Sequence, residues 1–126
     1  MAKILIVDDE PHIRLLLKQT LEELEDQGVA LLTAENGEQA LATVRQEVPE
    51  LVFLDVMMPK MNGFNVCRAI REDGALKHIH IVMLTAKGQE FDRQKGNEVG
   101  ADGYMTKPFD PDEVVDKARE VLGMSR

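Results

Sequence analysis

The chain is short of the features that most quickly place a protein. It has a single cysteine, Cys67, in 126 residues, so neither a disulfide framework nor a cysteine metal cluster can form within it. Basic residues are outnumbered 15 to 23 by acidic ones, and the formal charge of −8 with a pI near 4.8 argues against a phosphate-backbone binder. No apolar run is long enough to span a bilayer. The opening "MAKILIVDD" reads as a strand rather than a signal peptide, which makes the cytoplasm the expected location and leaves no route to membrane insertion. Linkers, low-complexity tracts and internal repeats are missing as well. What remains is a hydrophobic fraction of 44% in a length that suits one domain with one core, over residues 1–126.

Apolar runs alternate with helix-like segments along the whole chain. "KILIV" (3–7), "VALLTA" (29–34), "LVFL" (51–54), "IHIVMLT" (79–85) and "DGYMT" (102–106) read as strands. Between them, residues 11–26 form a helical pattern with Pro11 in its first turn and Ile13, Leu16, Leu17, Leu21 and Leu24 on one stripe. Asn36 caps a second helix to about Glu47, with Gln39 placed for a capping box and Pro49 beyond its end. A third helix opens at Asn62 and runs to about Asp73, placing Cys67 with Phe64 and Ile70 on a buried face as a small hydrophobe. The segment 88–100 is a weaker helix, because Gly96 interrupts it. A last helix, 110–122, has Asp110 as N-cap, Pro111 next, Glu113 completing a box, and Val114, Ala118, Val121 and Leu122 facing inward. It is expected to stop four residues before Arg126, with no output domain following in this chain.

Strict β-α alternation with strands apolar on both sides predicts a doubly wound parallel sheet, helices covering each face. In such sheets ligands sit beyond the carboxyl ends of the strands. Polar residues gather at those ends here. Strand one ends at Asp8, Asp9 and Glu10, strand three at Asp55, strand four at Thr85, and strand five leads to Lys107 and Pro108. Strand two ends in a plain turn, Ala34-Glu35-Asn36.

If strands one and three are neighbours, Asp8, Asp9 and Asp55 converge, and carboxylates so placed repel one another unless protons or a cation compensate. The donors are oxygens, which favours a hard ion such as Mg²⁺ over zinc. His12, His78 and His80 are poorly placed as ligands and read as surface groups. A nucleotide or flavin site is disfavoured, because the first loop "DDEP" offers negative charge to an anion and no GxGxxG or GxxxxGK[ST] occurs. Lys107 as ammonium and Thr85 as hydroxyl supply what a phosphoryl group would need beside a metal ion, and Asp55 is then the natural nucleophile for an acyl phosphate. The plainer alternative is a buried salt bridge between Asp55 and Lys107. Polar groups ending several separate strands weigh against it.

With those residues assembled, the chain resembles a response-regulator receiver domain over essentially its whole length. The pieces that carry the resemblance are "ILIVDDE", "LVFLDVMMPKMNG", "IVMLTA", "GADGYMTKPF" and the final amphipathic helix. The resemblance implies a (βα)5 flavodoxin-like fold with strand order 2-1-3-4-5. It implies that Asp55 accepts a phosphoryl group from a phosphohistidine, on a sensor histidine kinase or phosphotransfer protein. Asp9 matches the direct ligand of Mg²⁺ (or Mn²⁺), Asp8 the acid that holds metal-bound water, and the backbone carbonyl of Met57 a further ligand beside Asp55. Thr85 and Tyr104 match the switch pair, Lys107 the phosphoryl-contacting lysine, Ala86 a backbone N–H donor to phosphate, and Pro108 a proline that follows a cis bond.

Phosphorylation in that family shifts an existing equilibrium. The surface made by 88–100, strand five and the last helix is expected to pass the signal to a downstream protein in trans. Met57 and Lys87 are the positions expected to tune how long the phosphoryl group survives, and apolar Met57 predicts slow to moderate self-dephosphorylation. Such a domain is a phospho-acceptor with intrinsic phosphotransfer and self-dephosphorylation rather than an enzyme with turnover. Two other readings stand beside it. A degenerate receiver would dock without taking phosphate. An aspartyl-phosphate phosphatase of the haloacid-dehalogenase type would need an Asp two residues past the nucleophile, where Met57 stands. The charges Arg93, Glu98, Asp102 and Arg119 fit either a dimer face or plain solvation.

Overall fold

The computed structural model describes residues 1–59, 61–86 and 90–125. Five strands, β1 (Lys3–Val7), β2 (Ala30–Ala34), β3 (Leu51–Asp55), β4 (His80–Ala86) and β5 (Gly103–Lys107), form one parallel sheet in the order β2-β1-β3-β4-β5. The helices are α1 (Pro11–Thr20), α2 (Glu22–Asp26), α3 (Gly37–Glu47), α4 (Gly63–Glu72), α5 (Glu90–Val99) and α6 (Pro111–Leu122), with a 3₁₀ turn at Gly74–Leu76. This is the flavodoxin-like α/β fold.

Alternate residues of each strand serve opposite faces, so the strands are buried on both sides and the core is double. Leu5, Val7, Val52, Leu54, Ile81 and Met83 pack under α3, α4 and the end of α5, against Val44, Phe64, Cys67, Ile70 and Val99. Ile4, Ile6, Leu51, Phe53, Val82 and Leu84 pack on the other face against Leu17, Leu21, Leu24, Val114 and Ala118. Every residue of β3 is buried, which explains why its sequence does not alternate.

The first helical segment is not one helix. It breaks at Leu21, whose backbone leaves the helical region (φ −96°, ψ 8°). Just before it, the Thr20 hydroxyl donates to the Leu16 carbonyl at 2.8 Å, a back-bond that bends helices. The expected stripe is also narrower than its sequence pattern. Leu17, Leu21 and Leu24 are fully buried, but Leu16 lies on the shoulder of α1 and remains 44% exposed.

Caps form with small differences. Asn36 accepts from the Gln39 amide at 2.9 Å, while the Gln39 side chain returns to the amide of Glu35 rather than that of Asn36. Asp110 caps the Asp112 amide at 2.9 Å, one residue short of the box geometry expected with Glu113. Val48 closes α3 in the left-handed region (φ 45°) ahead of Pro49. Asp102 and Arg119 are engaged within the chain: Asp102 pairs with Arg71 at 2.5 Å, and buried Arg119 with Glu23 and Gln27. The side chain of Arg93 and the residue Lys87 lie outside what is described. No helix among the described residues is long and apolar enough to cross a membrane.

Candidate functional site

The carboxyl edge of the sheet gathers the predicted residues because β1, β3, β4 and β5 are adjacent and end at similar heights. Asp55 is the last residue of β3 and lies opposite Leu84, while Lys107 ends β5 opposite Ala86. Asp8 follows β1 directly and is fully buried, and Asp55 is 4% exposed. Lys107 lies between them, its Nζ 2.9 Å from Asp8 Oδ2 and 3.2 Å from Asp55 Oδ1. The contact with Asp8 is an ion pair off the line of a hydrogen bond, so among the described residues Asp8 Oδ2 is buried without an aligned donor. The other Asp8 oxygen accepts from the Glu10 amide at 3.0 Å.

Electrostatics follow from this packing. Burial, reinforced by the charge of Asp8 and opposed by Lys107, pushes the Asp55 carboxyl from its ordinary 3.8 up to about 7. Burial alone would lower the Lys107 ammonium, but its contacts with Asp8 and Asp55 outweigh that and hold it above its ordinary value. Near neutral pH the Asp55 carboxyl is therefore poised between its two forms.

Carboxylate oxygens of Asp8, Asp9 and Glu10 lie within 4.8 Å of one another. Asp9 and Glu10 are exposed on the solvent side of this group. Three oxygen donors without sulfur or nitrogen, a buried carboxylate oxygen lacking an aligned donor, and an adjacent carboxyl pushed up by burial and by the charge of Asp8 together fit a hard divalent cation. Glu10, placed by the sequence at the end of strand one, was not read as a ligand; its only signal was its place directly after the two aspartates. Arg14, also missed, donates to the Asp8 carbonyl at 2.7 Å and steadies the turn from one helical step away.

Other predicted residues fall around the edge. The Met57 amide donates to Asp55 Oδ1 at 3.4 Å, and its side chain is 75% exposed at the mouth of the site. Buried Thr85 turns its hydroxyl away from Asp55, to the Met105 carbonyl at 3.4 Å. Ala86 ends β4 exposed, and the Lys107–Pro108 bond is cis as expected. Tyr104, second in β5, reaches Asn97 on α5. His12 is solvent-facing, 3.2 Å from Glu10, while His78 and His80 lie at the opposite end of the sheet beside Glu50 and Glu120. Gly63 explains the tight turn below the site: a Cβ there would overlap the Asp55 carbonyl oxygen, so only glycine lets α4 start so close to β3.

A doubly wound sheet carrying this acid-and-lysine edge defines a class, and comparison with known proteins identifies it. The response regulator receiver domain family matches residues 4–119. The alkaline phosphatase synthesis transcriptional regulatory protein PhoP of Bacillus subtilis is 46% identical over 123 residues, covering 98% of this chain and 49% of that protein. A probable transcriptional regulator ycf27 of Pyropia yezoensis is 48% identical over 120 residues, 95% of this chain and 47% of its own length. Among solved structures, chemotaxis response regulator CheY4 of Vibrio cholerae superposes with a TM-score of 0.85 at 37% identity, over 97% of this chain and 99% of that one. The chain belongs to the response regulator receiver domain family. It spans about half the length of the curated relatives it matches.

Proposed function

We propose that Asp55 is the acceptor of a phosphoryl group and that the charge it gains is read out on the face formed by α5, β5 and α6. The observation that carries this reading is the position of Lys107, within 3.2 Å of both Asp8 and Asp55 at the edge where Asp55 meets solvent-side acids. An Asp55 oxygen attacks phosphorus in line with the phosphohistidine nitrogen. The P–O bond forms as the P–N bond breaks, and the imidazole of the donor leaves with a proton. Lys107 neutralises charge on the incoming group, and the Ala86 amide and, once it leaves the Met105 carbonyl, the Thr85 hydroxyl would donate to its oxygens on the β4 side. Asp8, Asp9, Asp55 and the Met57 carbonyl are the groups that would hold Mg²⁺ or Mn²⁺, which supplies positive charge to the phosphoryl oxygens when bound.

Phosphorylation adds about −1.5 to −2 charge and strong acceptor oxygens beside Thr85. Recruiting the Thr85 hydroxyl breaks its bond to the carbonyl of Met105, the residue next to Tyr104. On this face lies a cavity of about 280 Å³ lined by Tyr104, Phe109, Asp110 and Glu113, whose two carboxylates disfavour nucleic acid there. The donor partner is a sensor histidine kinase or phosphotransfer protein in the cytoplasm. Exposed Met57 cannot orient a hydrolytic water, so its replacement by Asn or Glu should change the self-dephosphorylation rate; an unaltered half-life would remove Met57 from that path.

The test is Mg²⁺-dependent labelling by acetyl phosphate, read as intact mass, with Asp55→Asn as control. One phosphoryl group on the parent protein alone supports the reading. No gain points to a docking module that works without phosphate, and continuous release of inorganic phosphate points to a phosphatase.

A further inference from the structure

We infer that Asn97 is a positioning residue that holds Tyr104 in its resting place and so weights the domain against its phosphorylated arrangement. The second half of this rests on the phospho-acceptor reading above. The Tyr104 hydroxyl donates to Asn97 Oδ1 at 2.5 Å, tying β5 to α5. The ring lies against the backbone of the preceding residue: a Cβ on Gly96 would stand 2.7 Å from Tyr104 Cε1 and 2.9 Å from its hydroxyl oxygen. Gly96 therefore has a positive role. The glycine that weakens α5 as a helix is what allows the ring to lie flat on it.

Two neighbouring contacts give this position mechanical meaning. The Cys67 thiol lies 3.4 Å from the Val99 carbonyl, and Arg71 Nε donates to the Gly100 carbonyl at 2.8 Å, so the end of α5 nearest Asn97 is fixed to α4. Thr85, two residues beyond the partner of Tyr104 in β4, bonds back to Met105. An inward turn of the ring, following Thr85, must break the bond to Asn97 and leave the Gly96 surface. Amide oxygen and glycine surface thus act together on one side of the equilibrium. The bond is solvent-accessible, so its loss should shift that equilibrium by roughly two- to tenfold, the range of one neutral hydrogen bond.

The chain has one tyrosine and no tryptophan, so its ultraviolet emission reports Tyr104 alone. Asn97→Ala should alter that emission in Mg²⁺-free protein and tighten apparent beryllofluoride affinity in Mg²⁺ by roughly two- to tenfold, the same hydrogen-bond range. Asn97→Asp keeps an acceptor oxygen and should stay at the parent affinity or weaker, a rescue that general loosening of α5 would not produce. Gly96→Ala displaces the ring by contact and should tighten affinity in the same direction, although alanine favours the helix. Parent-like emission and affinity in Asn97→Ala would overturn the inference, as would identical behaviour of the Ala and Asp variants. If the parent protein itself fails to bind beryllofluoride, the phospho-acceptor reading falls and with it the link to phosphorylation, while the metal-free emission comparison still decides whether Asn97 holds the ring.

Discussion

Replacing Asp55 by asparagine should stabilise the metal-free protein, and by an amount that grows with pH. In the native state the Asp55 carboxyl keeps its proton up to about pH 7, whereas in the unfolded chain it loses it near 3.8. The native state therefore binds more protons than the unfolded state between those values. Stability contributed by this group is complete below pH 3.8, falls as pH rises through the window, and is lost above about 7. At about 1.4 kcal/mol per pH unit, the full span corresponds to roughly 4 kcal/mol as an upper bound. Asparagine keeps the shape and an acceptor oxygen but takes one carboxylate from Lys107, which retains Asp8 at 2.9 Å. The net gain should be ~1–3 kcal/mol at pH 8. Urea unfolding of both proteins in EDTA, from pH 4 to 8, measures it, since the carboxylates remote from Asp55 are common to both and cancel. A variant less stable than the parent at pH 8, or a difference that does not change with pH, would refute the electrostatic account of the site. Mg²⁺ should restore the parent by about 1.4 kcal/mol at ten times its Kd, and the variant by less.

Arg71→Ala should cost ~2–3 kcal/mol in urea unfolding, because the guanidinium serves the carbonyls of Gly100 and Ile79 as well as Asp102; a loss below 1 kcal/mol, about the size of a surface ion pair, would mean those carbonyls find other donors. Arg71→Lys should recover only part of it, since an ammonium cannot fork toward several carbonyls. Gly63→Ala should destabilise by ~1–3 kcal/mol and slow acetyl phosphate labelling, since the new methyl pushes on the backbone of Asp55 itself; unchanged labelling would show that the turn relaxes away from the site. Cys67 is fully buried, and burial pushes its thiol up to about 11, so a thiol-reactive disulfide should leave native protein untouched at pH 8 and react once urea unfolds it. Prompt reaction under native conditions would contradict that.

Much of the site could be read from the order of residues, because parallel strands bring their carboxyl ends to one edge whatever the helices do. Asp8, Asp55 and Lys107 were legible for that reason. Glu10 and Arg14 were not, since their part depends on how the chain turns after β1 and not on which strand it ends. Thr85 was found at the right height, but the direction of its hydroxyl is a rotamer choice set by the Met105 carbonyl. The break at Leu21 and the exposure of Leu16 escaped for a related reason. A periodic apolar pattern fixes which side of a helix faces the core, while the bend follows one Thr20 back-bond and the width of the buried stripe is set by what packs beneath it. Gly96 was visible as a weakness in the helix; its use appears only once the ring of Tyr104 is beside it.

Clamping one end of α5 to Arg71 turns that helix into a lever. Its ten residues extend ~15 Å from the clamp, so a ~10° swing carries the far end by ~2.6 Å while the carbonyl of Gly100 hardly stirs. Displacement along α5 would be graded, least at the Val99 end that Cys67 and Arg71 hold and greatest at its first turn, and a partner sensing the far end would register far more than one sensing the near end.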